Sequence, residues 1–171
     1  STGNSFTGVV VDDKAGAGIG VYDSNGNSFQ GLMVSNTDFD SIFVQNGSDN
    51  SFTDSTLSNT RVGGSGILLI NADRTHFTNT SVDNVLGDGI FINDSDDVVF
   101  LDTTVTRSLI GSGVALINDA DGASFTNTTI EDSDDRGVVL VAGVDNAHFV
   151  GTFITTTNLE GLDFGGILVD T

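Results

Sequence analysis

The chain has 171 residues, 24 acidic against 5 basic, for a net charge of -19, and it contains no Cys, Pro or Trp. Such a charge repels nucleic acid and anionic membrane surfaces, and it opposes an anionic polyuronate unless cations intervene. The absence of cysteine excludes a disulfide framework and a thiolate metal site, and apolar runs such as Gly66–Ile70 are far too short to be inserted across a bilayer.

In chain order, one phrase keeps returning. The first unit has Phe6, then Val11 five residues later, then Gly18 ahead of Ile19-x-Val21. The second repeats it with Phe29, Val34, Ser41 and Ile42-x-Val44, and the third with Phe52, Leu57, Gly66 and Ile67-x-Leu69. Phe77, Val82, Gly89 and Ile90-x-Ile92 make the fourth, and Phe100, Val105, Gly113 and Val114-x-Leu116 the fifth. The sixth reads Phe125, Ile130, Gly137 and Val138-x-Leu140; in the seventh, Phe149 and Ile154 are followed by Gly161 and Leu162-x-Phe164. A fixed period over the whole chain marks a solenoid. Short apolar alternations predict three short strands per unit, and nothing sustains a helical period. Asn, Asp, Gly and Ser supply the turns, because they tolerate left-handed dihedrals or bond their own backbone. One coil cannot bury its apolar face alone, so neighbours stack about 4.8 Å apart.

The expected fold is therefore an all-β solenoid of about seven coils of 23–25 residues. One domain spans 1–171, with no linker and no change of composition. The repeats resemble the right-handed parallel β-helix of the pectate-lyase-like superfamily, which includes polygalacturonases, mannuronan C5-epimerases and bacterial surface proteins. The resemblance covers the whole chain. It implies the right hand of the coil, a secreted or cell-surface location, and polysaccharide as a partner class. With no closing cap evident at either end, the chain is expected to be a segment of a larger protein.

Residues at one offset in successive coils lie about one rung apart, so chemistry can be sought column by column. His76 and His148 precede their anchors in coils four and seven, roughly 14 Å apart, and form no pair. Tyr22, the single tyrosine, lies near neither, so a Tyr–His lyase or epimerase site is not expected. Asn36-Thr37-Asp38 resembles a polygalacturonase motif, but that family's other motifs are missing here.

Three columns remain as candidates. Charge gathers on the loop between the second and third strands, where Lys14, Arg61, Arg107 and Arg136 lie among Asp38, Asp40, Asp83, Asp88, Asp132, Asp134, Asp135 and Glu160. Paired carboxylates beside an arginine can do acid–base work on a sugar. That makes Arg107, Asp132, Asp134, Asp135 and Arg136 the candidate catalytic group, although mixed charge on loops is also ordinary. Four residues before the anchor come Asn25, Ser48, Asp73, Asp96, Asp121 and Asp145. The four aspartates would repel one another unless splayed apart or bridged by calcium, an oxygen-loving cation; no cofactor is otherwise required. Finally, the middle residue of each triplet should point outward. That column reads Gly20, Phe43, Leu68, Phe91, Ala115, Val139 and Asp163, an apolar strip on an acidic surface. Phe43, Leu68, Phe91, Ala115 and Val139 are the expected binding residues, toward a second copy, another part of a parent chain, or a sugar.

The expected function is a non-catalytic structural or adhesive solenoid segment. The alternative, favoured by the resemblance, is a polysaccharide lyase, epimerase or hydrolase, or a carbohydrate-binding fragment of one. Ice binding ranks last: Thr53, Thr56, Thr78, Thr104, Thr126 and Thr129 fall on two strands bent by a turn.

Overall fold

The computed structural model describes residues 1–155 and 166–170. Three parallel sheets of seven strands each wrap one interior, with every strand paired to its equivalent one coil away. In the first coil these are Ser5–Thr7, Val10–Lys14 and Ile19–Tyr22. No helix occurs among the described residues. Six coils are complete, and the seventh is interrupted by residues outside the description.

The phenylalanine column is the spine of the interior. Phe6, Phe29, Phe52, Phe77, Phe100, Phe125 and Phe149 pair in register. Their rings stack at 4.7–4.8 Å between centroids, within 9° of parallel. This spacing equals the strand separation of a sheet, so backbone pairing fixes the ring stack. Val34, Leu57, Val82, Val105 and Ile130 of the second sheet are buried against it, as are Ile42, Val44, Ile67, Leu69, Ile90, Ile92, Val114 and Leu116 of the third.

The corner glycines are there for space. A Cβ on Gly18, Gly66, Gly89 or Gly113 would lie 2.1–2.3 Å from a Cγ of Val34, Val82, Val105 or Ile130 in the following coil. All four of those partners branch at Cβ. Ser41 is the exception in the glycine column, and the next residue in the partner column is Leu57, whose branch lies one carbon further out. The exception thus has a steric cause: Ser41 is accommodated, fully buried, where the facing side chain leaves its Cβ room.

Two ladders absent from the apolar reading also hold the coils. Asn27 and Asn50 are buried. Asn50 Oδ1 accepts from both N and Nδ2 of Asn27 at 2.9 Å, and Asn50 Nδ2 donates to the carbonyls of Ser24 and Gly47. At the end of the second strand Asn36, Asn59 and Asn84 have left-handed φ of 54–60°, where Asn is one of the few side chains tolerated. Asn59 Nδ2 donates to Asn36, and Asn84 Nδ2 to Asn59.

The last coil departs from expectation. Gly161, Leu162, Asp163 and Phe164 lie outside the described residues, and the seventh strand of the third sheet is Ile167–Asp170. It pairs Val138 with Ile167 and Leu140 with Val169. The apolar triplet of this coil is thus Ile167-Leu168-Val169, later in the chain than the repeat predicts, and Leu168 occupies the column expected for Asp163.

Candidate functional site

The outer face of the third sheet is the most unusual surface of the molecule. Its strands are Ile19–Tyr22, Ile42–Gln45, Ile67–Ile70, Ile90–Asn93, Val114–Ile117, Val138–Val141 and Ile167–Asp170. In register they place Gly20, Phe43, Leu68, Phe91, Ala115, Val139 and Leu168 in one column. Ala115 is buried; Phe43, Leu68, Phe91 and Val139 are half-buried by their neighbours.

Each strand carries a second outward residue, making another column of Tyr22, Gln45, Ile70, Asn93, Ile117, Val141 and Asp170. Extending the alternation by one more step would have found it. Tyr22 is 54% exposed and meets the Phe43 ring edge-on at 5.3 Å. The corner leading into this sheet adds Phe39, Val62 and Ile110, which are 53%, 60% and 64% exposed. Strip and corner together make an apolar surface two columns wide with an apolar border.

The charged edge is built differently from the expected catalytic group. Arg61 reaches Asp13 at 2.8 Å and Asp38 at 3.0 Å. Arg107 pairs with Asp83 of the preceding coil. Arg136 pairs with Asp135 at 3.0 Å, and Asp135 also accepts from Ser112 Oγ at 3.2 Å. Asp132 is exposed at a left-handed φ of 53°, and the Asp134 N–H bonds the Ser108 carbonyl. Arg107 and Asp132 follow one another in a column, yet the guanidinium of Arg107 turns back toward Asp83. Arg74, outside this edge, holds Asp49 with both Nε and Nη2, and that hydrogen bonding lowers the carboxyl's pKa.

Two carboxyls of this edge stand apart. Burial pushes Asp40 and Asp88 above the ordinary carboxylate range, against the backbone N–H bonds each accepts from the next coil, Ser65 at 2.8 Å and Ser112 at 2.7 Å. They lie two rungs apart, each three residues before an outward Phe, in Asp40-Ser-Ile-Phe43 and Asp88-Gly-Ile-Phe91. That repeated tetrapeptide is visible in the sequence, although the burial is not.

In the aspartate ladder, Oδ1 of Asp73, Asp96 and Asp121 each accepts the backbone N–H of the ladder residue in the next coil, Asp96, Asp121 and Asp145, at 2.7–3.1 Å. The carboxylates are strung along the axis, and among the described residues no three acidic or His side chains converge on a metal position. His76 and His148 are exposed on the first sheet, three rungs apart. Asn36 donates to Asp12, buried Thr37 to the Phe39 carbonyl, and Asp38 pairs with Arg61, so that tripeptide is engaged in holding coils together. Thr53, Thr78 and Thr126 lie on the first sheet, and Thr56, Thr104 and Thr129 on the second.

Three parallel sheets, one coil per rung and a stacked aromatic interior define a parallel β-solenoid. Residues 1–154 match the family described as right handed beta helix region, and the chain belongs to that family. No curated protein matches it in sequence. Among solved structures it is similar to an alginate lyase from Paenibacillus sp., with TM-score 0.77, 14% identity, and coverage of 98% of this chain and 67% of that one. It is also similar to the periplasmic alginate epimerase AlgG, with TM-score 0.71, 12% identity, and coverage of 99% and 46%. Pectate lyase Pel9A follows with TM-score 0.70, 15% identity, and coverage of 92% and 53%. The chain spans about half the length of the last two. At these identities the likeness is one of fold.

Proposed function

We propose that this chain is a non-catalytic structural or adhesive solenoid, part of a larger secreted or cell-surface protein, that binds a protein partner through the outer face of its third sheet. The observation that carries the reading is the pair of outward columns, where apolar residues run from Phe43 to Val141, interrupted by Gln45 and Asn93 but by no charged side chain. Burying several large side chains contributes roughly 1.5 to 3 kcal/mol each before association costs. The arginines of the candidate catalytic edge are engaged in ion pairs, chiefly between coils.

A second reading has its own support. Asp40 and Asp88 bind protons more tightly than ordinary aspartates, as a general acid must, and each precedes an outward Phe on which a sugar ring could stack. This favours a polysaccharide-active or carbohydrate-binding role, on a neutral glycan given the net charge. Calcium bridging Asp73, Asp96, Asp121 and Asp145 is the one cofactor either reading admits.

The two are separated by paired experiments. Incubation with pectin, polygalacturonate, alginate and neutral glycans, with and without calcium, should give no turnover. Phe43→Ser with Phe91→Ser should weaken docking or self-association while leaving the fold intact. Turnover lost in Asp88→Asn would establish the second reading, and unchanged association in the double variant would refute the first.

A further inference from the structure

We propose that the occupant of the third sheet's outer face is a second copy of the same chain, packed sheet to sheet about a two-fold axis parallel to the strands and centred on Ile90–Asn93. This rests on the contact-face reading above and gives it a partner and a register.

Such an axis reverses the order of the rungs and keeps each column facing its own counterpart. Rung one then faces rung seven, and rung four faces itself. In the first column Phe43 meets Val139, Leu68 meets Ala115, and Phe91 meets Phe91, while Leu168 meets the Tyr22 ring that folds over Gly20. Phe43 opposite Val139 and Leu68 opposite Ala115 each set a larger side chain against a smaller one, as two interdigitating sheets require. In the second column Ile70 meets Ile117, and Gln45 meets Val141. Asn93 meets Asn93, and two amides can exchange hydrogen bonds across the axis. Shifting the centre one rung earlier would set Phe43 against Phe91 and Leu68 against Leu68, large against large.

Size and charge point the same way. The face is six steps of 4.8 Å tall, and a four-residue strand is about 13 Å long, so the sheet offers roughly 400 Å² per copy. The bordering Phe39, Val62 and Ile110 extend it toward the ~800 Å² per partner of a specific interface. Because the molecule carries -19, two copies can approach closely only where carboxylates are few, and Asp170 is the one carboxylate in the two outward columns of this face. The first sheet's outer face has none, but Ser5, Ser28, Ser51 and Ser124 with Thr7, Thr53, Thr78 and Thr126 line much of it. Those hydroxyls would lose water on burial. Asp38, Asp23 and Asp94 border the third sheet, so the dimer should tighten with salt, whereas docking to a basic partner would loosen.

The test uses the absence of native cysteine. Sedimentation equilibrium should show a dimer that strengthens as NaCl rises from about 0.05 to 0.5 M. Asn93→Cys should be joined to itself by a short bismaleimide. Phe43→Cys should give no such product alone, being four rungs from its own copy, but should join to Val139→Cys when the two are mixed. Asn93→Asp keeps the oxygen that accepts from Asn118 Nδ2, so the monomer should stay folded while dimer affinity falls at least tenfold. A monomer at every concentration, or self-joining of Phe43→Cys without that of Asn93→Cys, overturns the two-fold pairing. If Phe43→Ser with Phe91→Ser still abolishes docking to something else, the contact face survives that result. If the double variant changes no association, the contact face falls as well.

Discussion

Gly89→Ser tests the packing rule of the corner. The added Cβ would stand 2.1 Å from Val105 Cγ1 and 2.6 Å from the Gly113 carbonyl oxygen. Rotating Val105 relieves only the first contact, so backbone must move as well. Overpacking of this kind costs about 1 to 3 kcal/mol, occasionally more, and about 2 kcal/mol corresponds to a fall in Tm of roughly 4 to 8 °C for a chain of this length. The chain already contains the remedy, because Ser41 precedes Leu57 in the equivalent positions two repeats earlier. Val105→Leu should therefore rescue Gly89→Ser in part: alone it adds a methylene to the core and costs about 1 to 3 kcal/mol, but the pair should cost less than the sum of the two single variants. Thermal and urea unfolding of the parent, both single variants and the double variant give the coupling energy directly. Strict additivity, or a Gly89→Ser protein as stable as the parent, would refute the steric account of the column.

Asn50→Ala leaves the buried N–H of Asn27 and the carbonyls of Ser24 and Gly47 without their partner, and should cost about 1 to 3 kcal/mol in urea unfolding. Burial raises the pKa of Asp88, so this group stabilises the fold below its unfolded value of 3.8 and loses that contribution as pH rises through the folded value. Asp88→Asn, which keeps the acceptor for Ser112 N–H, should thus raise Tm at pH 7 and change it little near pH 3; a uniform change across that range would contradict the assignment. With 24 acidic against 5 basic residues, Tm should climb with NaCl as self-repulsion is screened. Calcium at matched ionic strength should exceed sodium and magnesium only if it bridges Asp73, Asp96, Asp121 and Asp145, and an equal gain would leave screening alone.

What could be read from the sequence is what a stacked coil repeats. In-register pairing forces chemically like residues into columns, so Phe6 through Phe149 announced both the period and the interior. What escaped depends on direction or on local loop length, which a period does not encode. Asn4, Asn27 and Asn50 look like turn residues because Asn serves turns anywhere, yet Asn27 and Asn50 face inward and bond the coil above and below. Arg107 stood near Asp132 in the column count, but a long side chain chooses among several rungs and went to Asp83. The burial that raises Asp40 and Asp88 comes from how the corner folds over them, a property of loop shape. The seventh triplet falls later in the chain than the period predicts, which puts Leu168 where Asp163 is expected. That replacement lengthens the apolar column by a rung and, in a two-fold pairing, sets Leu168 opposite the Tyr22 ring that covers Gly20. The sequence spacing of the last coil therefore bears on whether the first column ends in a charge or can close against its own copy.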